Sequence, residues 1–252
     1  MRETILGCAE AGVGWIGAWR HKIEEIGLAE TASLLRSHDV RVSSLCRGGF
    51  FPAPTLAERQ QRLDDNRRAI DDAATLGTKV LVLVCGPAPD KDIGAARRMV
   101  EDGIAALLPY AQERRVRLAI EPLHPMFAGD RSVVVTLRQA NDMVERLHSE
   151  WVGTAVDAYH VWWDPHLETE LARARGTILG FHVSDWLVPP PDHLLGRGFM
   201  GDGVIDLPRL RSCVEAAGYS GPIEVEIFNK QVWDTPGAQV LRTVKQRFVD
   251  FV

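Results

Sequence analysis

The chain has 252 residues, of which 46% are hydrophobic and 25% charged, the ordinary balance of a water-soluble globular protein. Its net charge of −5 comes with no basic cluster, which argues against a nucleic-acid partner, and no apolar run is long enough to cross a membrane. The four cysteines form neither a zinc motif nor a disulfide pattern and no signal peptide is visible, so reduced thiols and a cytoplasmic location are predicted.

Short apolar runs alternate with longer amphipathic stretches along the chain, which opens on a segment typical of a helix. The predicted strands are residues 13–18, 40–45, 79–84, 117–120, 152–156, 178–183 and 223–227. The predicted helices are residues 23–37, 56–76, 93–113, 134–148, 165–174, 207–217 and 238–250, with Gly77 and Gly218 at helix C-termini. Strand starts recur about every 25–45 residues, the period of a βα unit.

This rhythm indicates an α/β protein whose parallel sheet is covered by helices. Both a doubly wound sheet and a (β/α)8 TIM barrel have this pattern. No G-x-G-x-x-G sequence links a strand to a helix, which removes the usual support for a dinucleotide-binding fold and favours the barrel. A closed barrel has eight strands and only seven are recognisable, so we expect a barrel that lacks the first β-strand at the N-terminus.

Polar side chains end or interrupt four consecutive predicted strands. Glu121 and Asp157 each follow an apolar run, His182 lies within one, and Glu224 and Glu226 alternate with valine in the last. The C-terminal ends of parallel barrel strands converge on one face, where active sites lie, and Glu226 is nearer that end than Glu224. Three buried carboxylates would repel one another without a cation. Three carboxylates and one imidazole predict one divalent metal ion, with Mn²⁺ or Mg²⁺ favoured and Co²⁺ or Zn²⁺ also compatible.

The segments that contain these residues are "EPLHP", "VDAYHVWWDP", "FHVSDW", "GDGVIDLPRL" and "GYSGPIEVEIF". From residue 9 onward the chain resembles the sugar phosphate isomerase/epimerase family of the xylose isomerase-like TIM-barrel superfamily. The resemblance implies a single domain over residues 1–252, and two substrate contacts, His160 of a D-x-x-H pair and Arg197 in "LLGRGFMGDG". It implies that the metal ligands are Glu121, Asp157, His182 and Glu226.

The resemblance also implies a divalent-metal-dependent isomerase or epimerase that acts on a ketose or keto-inositol. Glu121 and Glu226 would be the catalytic acids, one removing a proton beside the carbonyl and the other returning it through a metal-bound enediolate. Trp15 and Trp162 are predicted to stack on the sugar. The family often has a further acid soon after the strand-end glutamate, and His124 occupies that region, so His124 is predicted to contact substrate.

Other functions stay open. A keto-inositol dehydratase of the same superfamily would use the same metal and acids to eliminate water. A non-catalytic metal- or sugar-binding barrel, or a partner subunit of an oxidoreductase, would bind without turnover. An apurinic-site endonuclease is disfavoured, because it needs three metals, more histidine ligands and a basic DNA-binding face. The identity of the sugar and its phosphorylation stay open, no Lys/Arg cluster near the strand ends indicates a phosphate, and a homodimer is compatible with the sequence.

Overall fold

The computed structural model describes residues 1–252. The strands are β1 Trp15–Trp19, β2 Arg41–Gly49, β3 Val80–Val84, β4 Arg117–Glu121, β5 Val152–Asp157, β6 Ile178–Val183, β7 Asp185–Trp186, β8 Arg197–Gly198 and β9 Ile223–Val225. The α-helices are α1 Arg2–Glu10, α2 Arg20–Glu24, α3 Leu28–Ser37, α4 Leu56–Leu76, α5 Ile93–Arg114, α6 Leu137–Leu147, α7 Ala158–Val161, α8 Leu167–Arg173, α9 Leu207–Ala216, α10 Lys230–Trp233 and α11 Gly237–Phe251. A 3₁₀ helix spans Pro125–Phe127.

Seven parallel strands form a nearly closed barrel in the order β1-β2-β3-β4-β5-β6-β9, which confirms the predicted TIM-barrel fold and its strand count. Strands β7 and β8 make a separate antiparallel pair. The two edge strands, β1 and β9, are not hydrogen-bonded to each other. The Glu224 side chain of β9 nevertheless approaches the β1 backbone, because a Cβ added at Gly17 would lie 2.3 Å from Glu224 Oε2.

Apolar side chains fill both sides of the barrel wall. The outward-facing residues of the strands pack against the helices in two large clusters. A smaller cluster fills the lower barrel interior. It consists of Cys46, Val80, Val82, Ala119, Ala155 and Leu179. The acidic and histidine side chains that point into the barrel lie beyond this apolar cluster, toward the C-terminal ends of the strands.

Local sequence signals explain most of the helix boundaries. Helix α4 begins at Thr55, whose side chain forms a capping box with Glu58, and ends at Gly77 in the left-handed region with φ 77°. The predicted helix over residues 23–37 is wrong, because Gly27 adopts φ 85° and divides it into α2 and α3. None of the helices is both long enough and apolar enough to span a lipid bilayer.

Candidate metal centre

The register of the parallel strands brings the four predicted ligands to one level of the barrel. Glu121 is the last residue of β4 and Asp157 the last of β5. Asp157 pairs with His182 across β5 and β6, and His182 pairs in turn with Glu224 of β9. Glu226 follows the end of β9 and still donates its backbone N–H to Val183. The four side chains therefore converge because each strand ends at the same rim.

Glu121, Asp157, His182 and Glu226, hereafter the ligand cluster, each offer a ligand atom within 4.8 Å of the others. The first three are buried and the Glu226 side chain is 18% exposed. His182 Nδ1 lies 3.2 Å from Glu121 Oε1, yet neither ring nitrogen of His182 makes an aligned hydrogen bond. Three carboxylate oxygens and an imidazole nitrogen without a hydrogen-bond partner fit a divalent cation, so this cluster can hold a metal ion.

Neighbouring charges shift the protonation of the ligand cluster. Burial is the largest influence on Asp157 and raises its pKa, but the charges of Arg197 and His182 and the hydrogen bond from the Tyr159 N–H outweigh it and hold the pKa below its usual value. Burial raises the pKa of Glu226 to about 8, against the opposing charge of Arg197. Burial lowers the pKa of His182, but Glu224 and the other acids around it raise that pKa well above its ordinary value. In the metal-free chain the cluster therefore holds protons on Glu226 and His182 at neutral pH.

Arg197 of β8 places a buried guanidinium beside the ligand cluster. Its Nη1 donates hydrogen bonds to Asp157 Oδ2 at 2.8 Å, to Glu226 Oε2 at 3.0 Å and to the Glu226 carbonyl at 3.1 Å. The rings of Tyr159 and Phe228 lie 4.6 and 5.0 Å from its Cζ. This cation offsets part of the negative charge of the cluster, and the two aromatic rings limit its orientation.

His160 lies on α7, one turn after Asp157, which caps that helix by accepting a hydrogen bond from the Tyr159 N–H at 3.0 Å. Burial lowers the pKa of His160 to about 3, so its imidazole is neutral. Its Nε2 lies 3.2 Å from Arg197 Nη2, and because a guanidinium can only donate, Nε2 must accept and Nδ1 must carry the proton. Nδ1 is buried and has no partner in the protein, so it offers a free hydrogen-bond donor.

Glu224 places a further carboxylate against the ligand cluster. Ser44 Oγ donates a hydrogen bond to Glu224 Oε2 at 3.1 Å, and the same oxygen lies 3.7 Å from His182 Nε2. His182 thus sits between Glu121 on one side and Glu224 on the other. The absence of a side chain at Gly17 leaves the space that this carboxylate occupies.

Asp185 organises the loop that follows Arg197. Its carboxylate accepts hydrogen bonds from four backbone N–H groups at 2.9–3.0 Å. The donors are Trp186, Gly201, Gly203 and Ile205. A Cβ at Gly203 would lie 2.2 Å from the Trp186 carbonyl oxygen, so the loop packs tightly onto this pair. Because β8 and α9 flank the loop, these contacts stabilise the segment that presents Arg197.

Aromatic side chains form one wall above the ligand cluster, as expected for the C-terminal ends of β5 and β6. The Trp186 ring lies 4.8 Å from Tyr159, 5.0 Å from His124 and 5.6 Å from Trp162. Trp163 contacts His124 at 5.5 Å. Two residues predicted to contact substrate, His124 and Trp162, therefore belong to this wall, and the indole N–H of Trp162 is buried without a partner.

Trp15, predicted to stack on the sugar, lies outside the site. It is the first residue of β1, so it stands at the N-terminal end of the barrel, opposite the ligand cluster. Trp15 is 44% exposed, and its ring lies 5.3 Å from the Cζ of Arg41, the first residue of β2. Its place in the strand explains the correction: residues at the start of a barrel strand face the bottom of the barrel and not the active-site rim.

Three side chains of the site were not assigned from the sequence. Glu224 was considered only as the alternative to Glu226, although its carboxylate also enters the barrel. Tyr159 and Phe228 flank Arg197, and both follow soon after a strand-end acid, next to His160 and two residues after Glu226 respectively. Their position at the rim was visible in the sequence, but their contact with Arg197 depends on a loop that arrives from elsewhere in the chain.

Seven parallel strands with an acidic and histidine cluster at their C-terminal ends define a TIM barrel with a candidate metal centre. The chain matches the family model described as xylose isomerase-like TIM barrel over residues 6–247, and it therefore belongs to that family. The match confirms the resemblance to the xylose isomerase-like TIM-barrel superfamily that the segments around the ligand cluster indicate.

The individual proteins similar to this chain include a sugar phosphate epimerase. The chain is 27% identical over 209 residues to L-ribulose-5-phosphate 3-epimerase UlaE of Shigella flexneri serotype 5b (strain 8401), covering 81% of this chain and 70% of that protein. Protein SMc04130 from Sinorhizobium meliloti 1021 is 49% identical, with a TM-score of 0.95 over 99% of this chain and 92% of that one. The IOLI protein with a bound zinc atom shares the fold, with 21% identity, a TM-score of 0.84 and coverage of 99% and 92%.

Proposed function

We propose that this protein is a divalent-metal-dependent epimerase or isomerase of a ketose or keto-inositol, which moves a proton at a carbon next to the carbonyl. The observation that carries the proposal is the order of the ligand cluster around the barrel. Glu121 on β4 and Glu226 after β9 are its outer members, and Asp157 and His182 lie between them. Two carboxylates that flank one site are the arrangement that proton removal and return require.

The ligand cluster supplies the site for the ion. Bound there, a divalent cation would polarise the substrate carbonyl and acidify the neighbouring C–H group. Three carboxylate oxygens favour Mn²⁺ or Mg²⁺, while one imidazole keeps Co²⁺ and Zn²⁺ compatible. The IOLI protein of the same fold holds zinc, which is consistent with this range.

The two glutamates carry the proton. A carboxylate oxygen of one takes it from one face of the substrate carbon, and a carboxyl of the other delivers a proton to the opposite face. In the metal-free chain burial raises the pKa of Glu226 to about 8, and a cation bound beside it would lower that pKa and free the carboxylate to accept a proton. The direction of the reaction decides which glutamate acts first, because an epimerisation is reversible.

Arg197 and His160 bind and orient the substrate oxygens. The Arg197 guanidinium reaches the edge of the ligand cluster, and a donor there stabilises negative charge as it develops on oxygen. The neutral His160 ring presents its buried Nδ1–H without a protein partner, so it can donate to a substrate hydroxyl or carbonyl. The aromatic wall of His124, Trp162 and Trp186 excludes water beside them.

The similarity to L-ribulose-5-phosphate 3-epimerase supports epimerisation over a shift of the carbonyl. Deuterium exchange tests the proposal directly. The metal-loaded protein, incubated in D₂O with ketopentoses, ketohexoses and keto-inositols, is expected to incorporate deuterium at the carbon beside the carbonyl of one of them. Treatment with a chelator should abolish the exchange.

Variants sharpen this test. Glu121→Gln and Glu226→Gln are each expected to lower the exchange rate by about 10²- to 10⁴-fold, because each removes a proton carrier. Glu215→Gln, on the surface of α9, is the matched control and should exchange at the wild-type rate. Near-normal exchange in either active-site variant contradicts the two-glutamate scheme. Release of an unsaturated product in place of an epimer would show a dehydratase.

A further inference from the structure

Arg47 occupies an irregular position near the C-terminal end of β2. The pairing of β2 with β3 shifts register between Cys46 and Gly48, so Arg47 lies in a bulge. Cys46 packs inside the barrel, whereas a Cβ at Gly48 would contact Asn66 on α4, outside the barrel. Bulges at barrel rims re-aim side chains, and this one places a guanidinium at the upper rim.

The Arg47 side chain has no anionic partner in the protein. Its Cζ stacks on the Phe50 ring at 4.1 Å, and it makes no hydrogen bond or ion pair with another side chain. The nearby Arg20 is different, because Asp65 and Asp72 both neutralise it. Burial lowers the pKa of the Arg47 guanidinium, and the charges of Arg131 and Arg20 act in the same direction.

Arg131 brings a second guanidinium to the same part of the rim. Gly86 lies between the Arg131 loop and the segment that follows Arg47. Its N–H donates to the Arg131 carbonyl at 2.8 Å, and a Cβ on it would lie 2.8 Å from the Phe50 Cα. The Nε of Arg131 is buried and makes no hydrogen bond, and its ion pair is with the largely exposed Asp130 carboxylate, 3.6 Å away.

The two arginines lie next to the candidate active site. The Arg131 Cζ is 5.7 Å from the Phe127 ring, and Phe127 is 5.7 Å from the His160 ring. Phe50 and Phe127 pack into one apolar cluster with Val84, the last residue of β3. Phe127 thus separates the arginines from His160, whose Nε2 contacts Arg197 at the ligand cluster. This arrangement places the two cations at a distance from the metal ligands but on the same face of the barrel.

We propose that Arg47 and Arg131 form an anion subsite at the mouth of the barrel, which binds a phosphate or carboxylate group at the end of the substrate remote from the metal ligands. Two partly buried guanidinium groups repel each other, and an oxyanion between them removes that cost. Guanidinium groups bind such anions through paired hydrogen bonds. The anion subsite follows from the geometry, whereas its assignment to a ketose or keto-inositol substrate depends on the proposed function.

Calorimetric titration of the metal-loaded protein with inorganic phosphate tests the subsite without turnover. Arg47→Gln and Arg131→Gln are each expected to weaken phosphate binding by about 10- to 100-fold, because each removes a charged hydrogen-bond donor. Arg41→Gln is the matched control, because Arg41 also lies on β2 and stacks on an aromatic ring, but at the opposite end of the barrel. It should bind phosphate as the wild type does. Using two variants keeps the test informative if one of them fails to fold.

Kinetics identify the source of the anion. The deuterium-exchange kcat/KM is compared for a ketopentose 5-phosphate, the unphosphorylated ketopentose and a ketouronate of similar length. If the substrate is a phosphate ester, Arg47→Gln lowers the ratio of phosphorylated to unphosphorylated kcat/KM by about 10- to 100-fold. If the substrate is a sugar acid, Arg47→Gln instead lowers the ratio of the ketouronate kcat/KM to the kcat/KM of the unphosphorylated ketopentose. Either result supports the subsite.

Two different failures can be distinguished. If both arginine variants bind phosphate as tightly as wild type and leave both ratios unchanged, the anion subsite is wrong, even if the protein exchanges protons. If phosphate binding depends on Arg47 and Arg131 but no ketose or keto-inositol exchanges deuterium, the subsite stands and the proposed epimerase function is wrong.

Discussion

Metal binding to this protein is expected to release protons, and the charges in the ligand cluster determine how many. Burial raises the pKa of Glu226 in the metal-free chain to about 8. Burial lowers the pKa of His182, but Glu224 and the other surrounding acids outweigh this and raise it well above its ordinary value. Both side chains must lose their protons before they can act as ligands, so protons compete with the ion and metal affinity rises with pH.

The size of the effect follows from these pKa shifts. At about pH 7 a carboxyl with a pKa of about 8 is about 90% protonated, so the ion displaces about 0.9 proton from Glu226, in addition to any proton it displaces from His182. Near pH 9 the Glu226 contribution falls to about 0.1 proton. Through Glu226 alone the metal affinity should therefore rise by about tenfold per pH unit below pH 8 and level off above it, and the proton on His182 makes the total rise steeper.

Calorimetric titration of Mn²⁺ into the protein, in pairs of buffers with different ionisation enthalpies, counts the released protons. Glu226→Gln is expected to weaken metal binding and to reduce proton release at about pH 7 by about one, because it removes both a ligand and a titrating group. Glu215→Gln should match the wild type. Proton release that does not change between about pH 7 and pH 9, or that is the same in Glu226→Gln, would refute this account of the cluster.

Three substitutions test other parts of the site. Arg197→Gln should destabilise the metal-free protein by about 3–5 kcal/mol, because it leaves the buried Asp157 carboxylate without its guanidinium partner, and should tighten metal binding; urea unfolding and metal titration measure both, and unchanged stability would contradict the pairing. Gly17→Ala should lower the free energy of unfolding by about 1–3 kcal/mol in urea, because its Cβ would lie 2.3 Å from Glu224 Oε2. Gly14→Ala is the control: a Cβ there would have nothing within 4 Å, so it should lower the free energy of unfolding by less than about 1 kcal/mol. Asp185→Ala should raise the hydrogen-exchange rates of the Gly201 and Gly203 amides and lower turnover, and continued protection of those amides would show that other contacts hold the loop.

The sequence by itself was sufficient for the barrel and for the members of the ligand cluster. Apolar strands that alternate with amphipathic helices can bury their surfaces only as a parallel sheet covered by helices, and the C-terminal ends of such strands share one rim. For this reason the acids that end β4 and β5, Glu121 and Asp157, and the histidine in β6 could be placed together before any contact was known. These are properties of strand direction and residue order, which the sequence contains.

Only the tertiary structure decided which other side chains reach the ligand cluster and which do not. Trp15 and Trp162 were both predicted to stack on the sugar, yet they lie at opposite ends of the barrel. Arg197 meets Asp157 across 40 residues, and Ser44 meets Glu224 across 180, through contacts that no local pattern encodes. The segment after the β2 bulge that contains Arg47 and the loop after β4 that contains Arg131 both pack against Gly86. Local sequence determines which elements form and where they end, whereas the partners of a long polar side chain depend on the packing of distant segments.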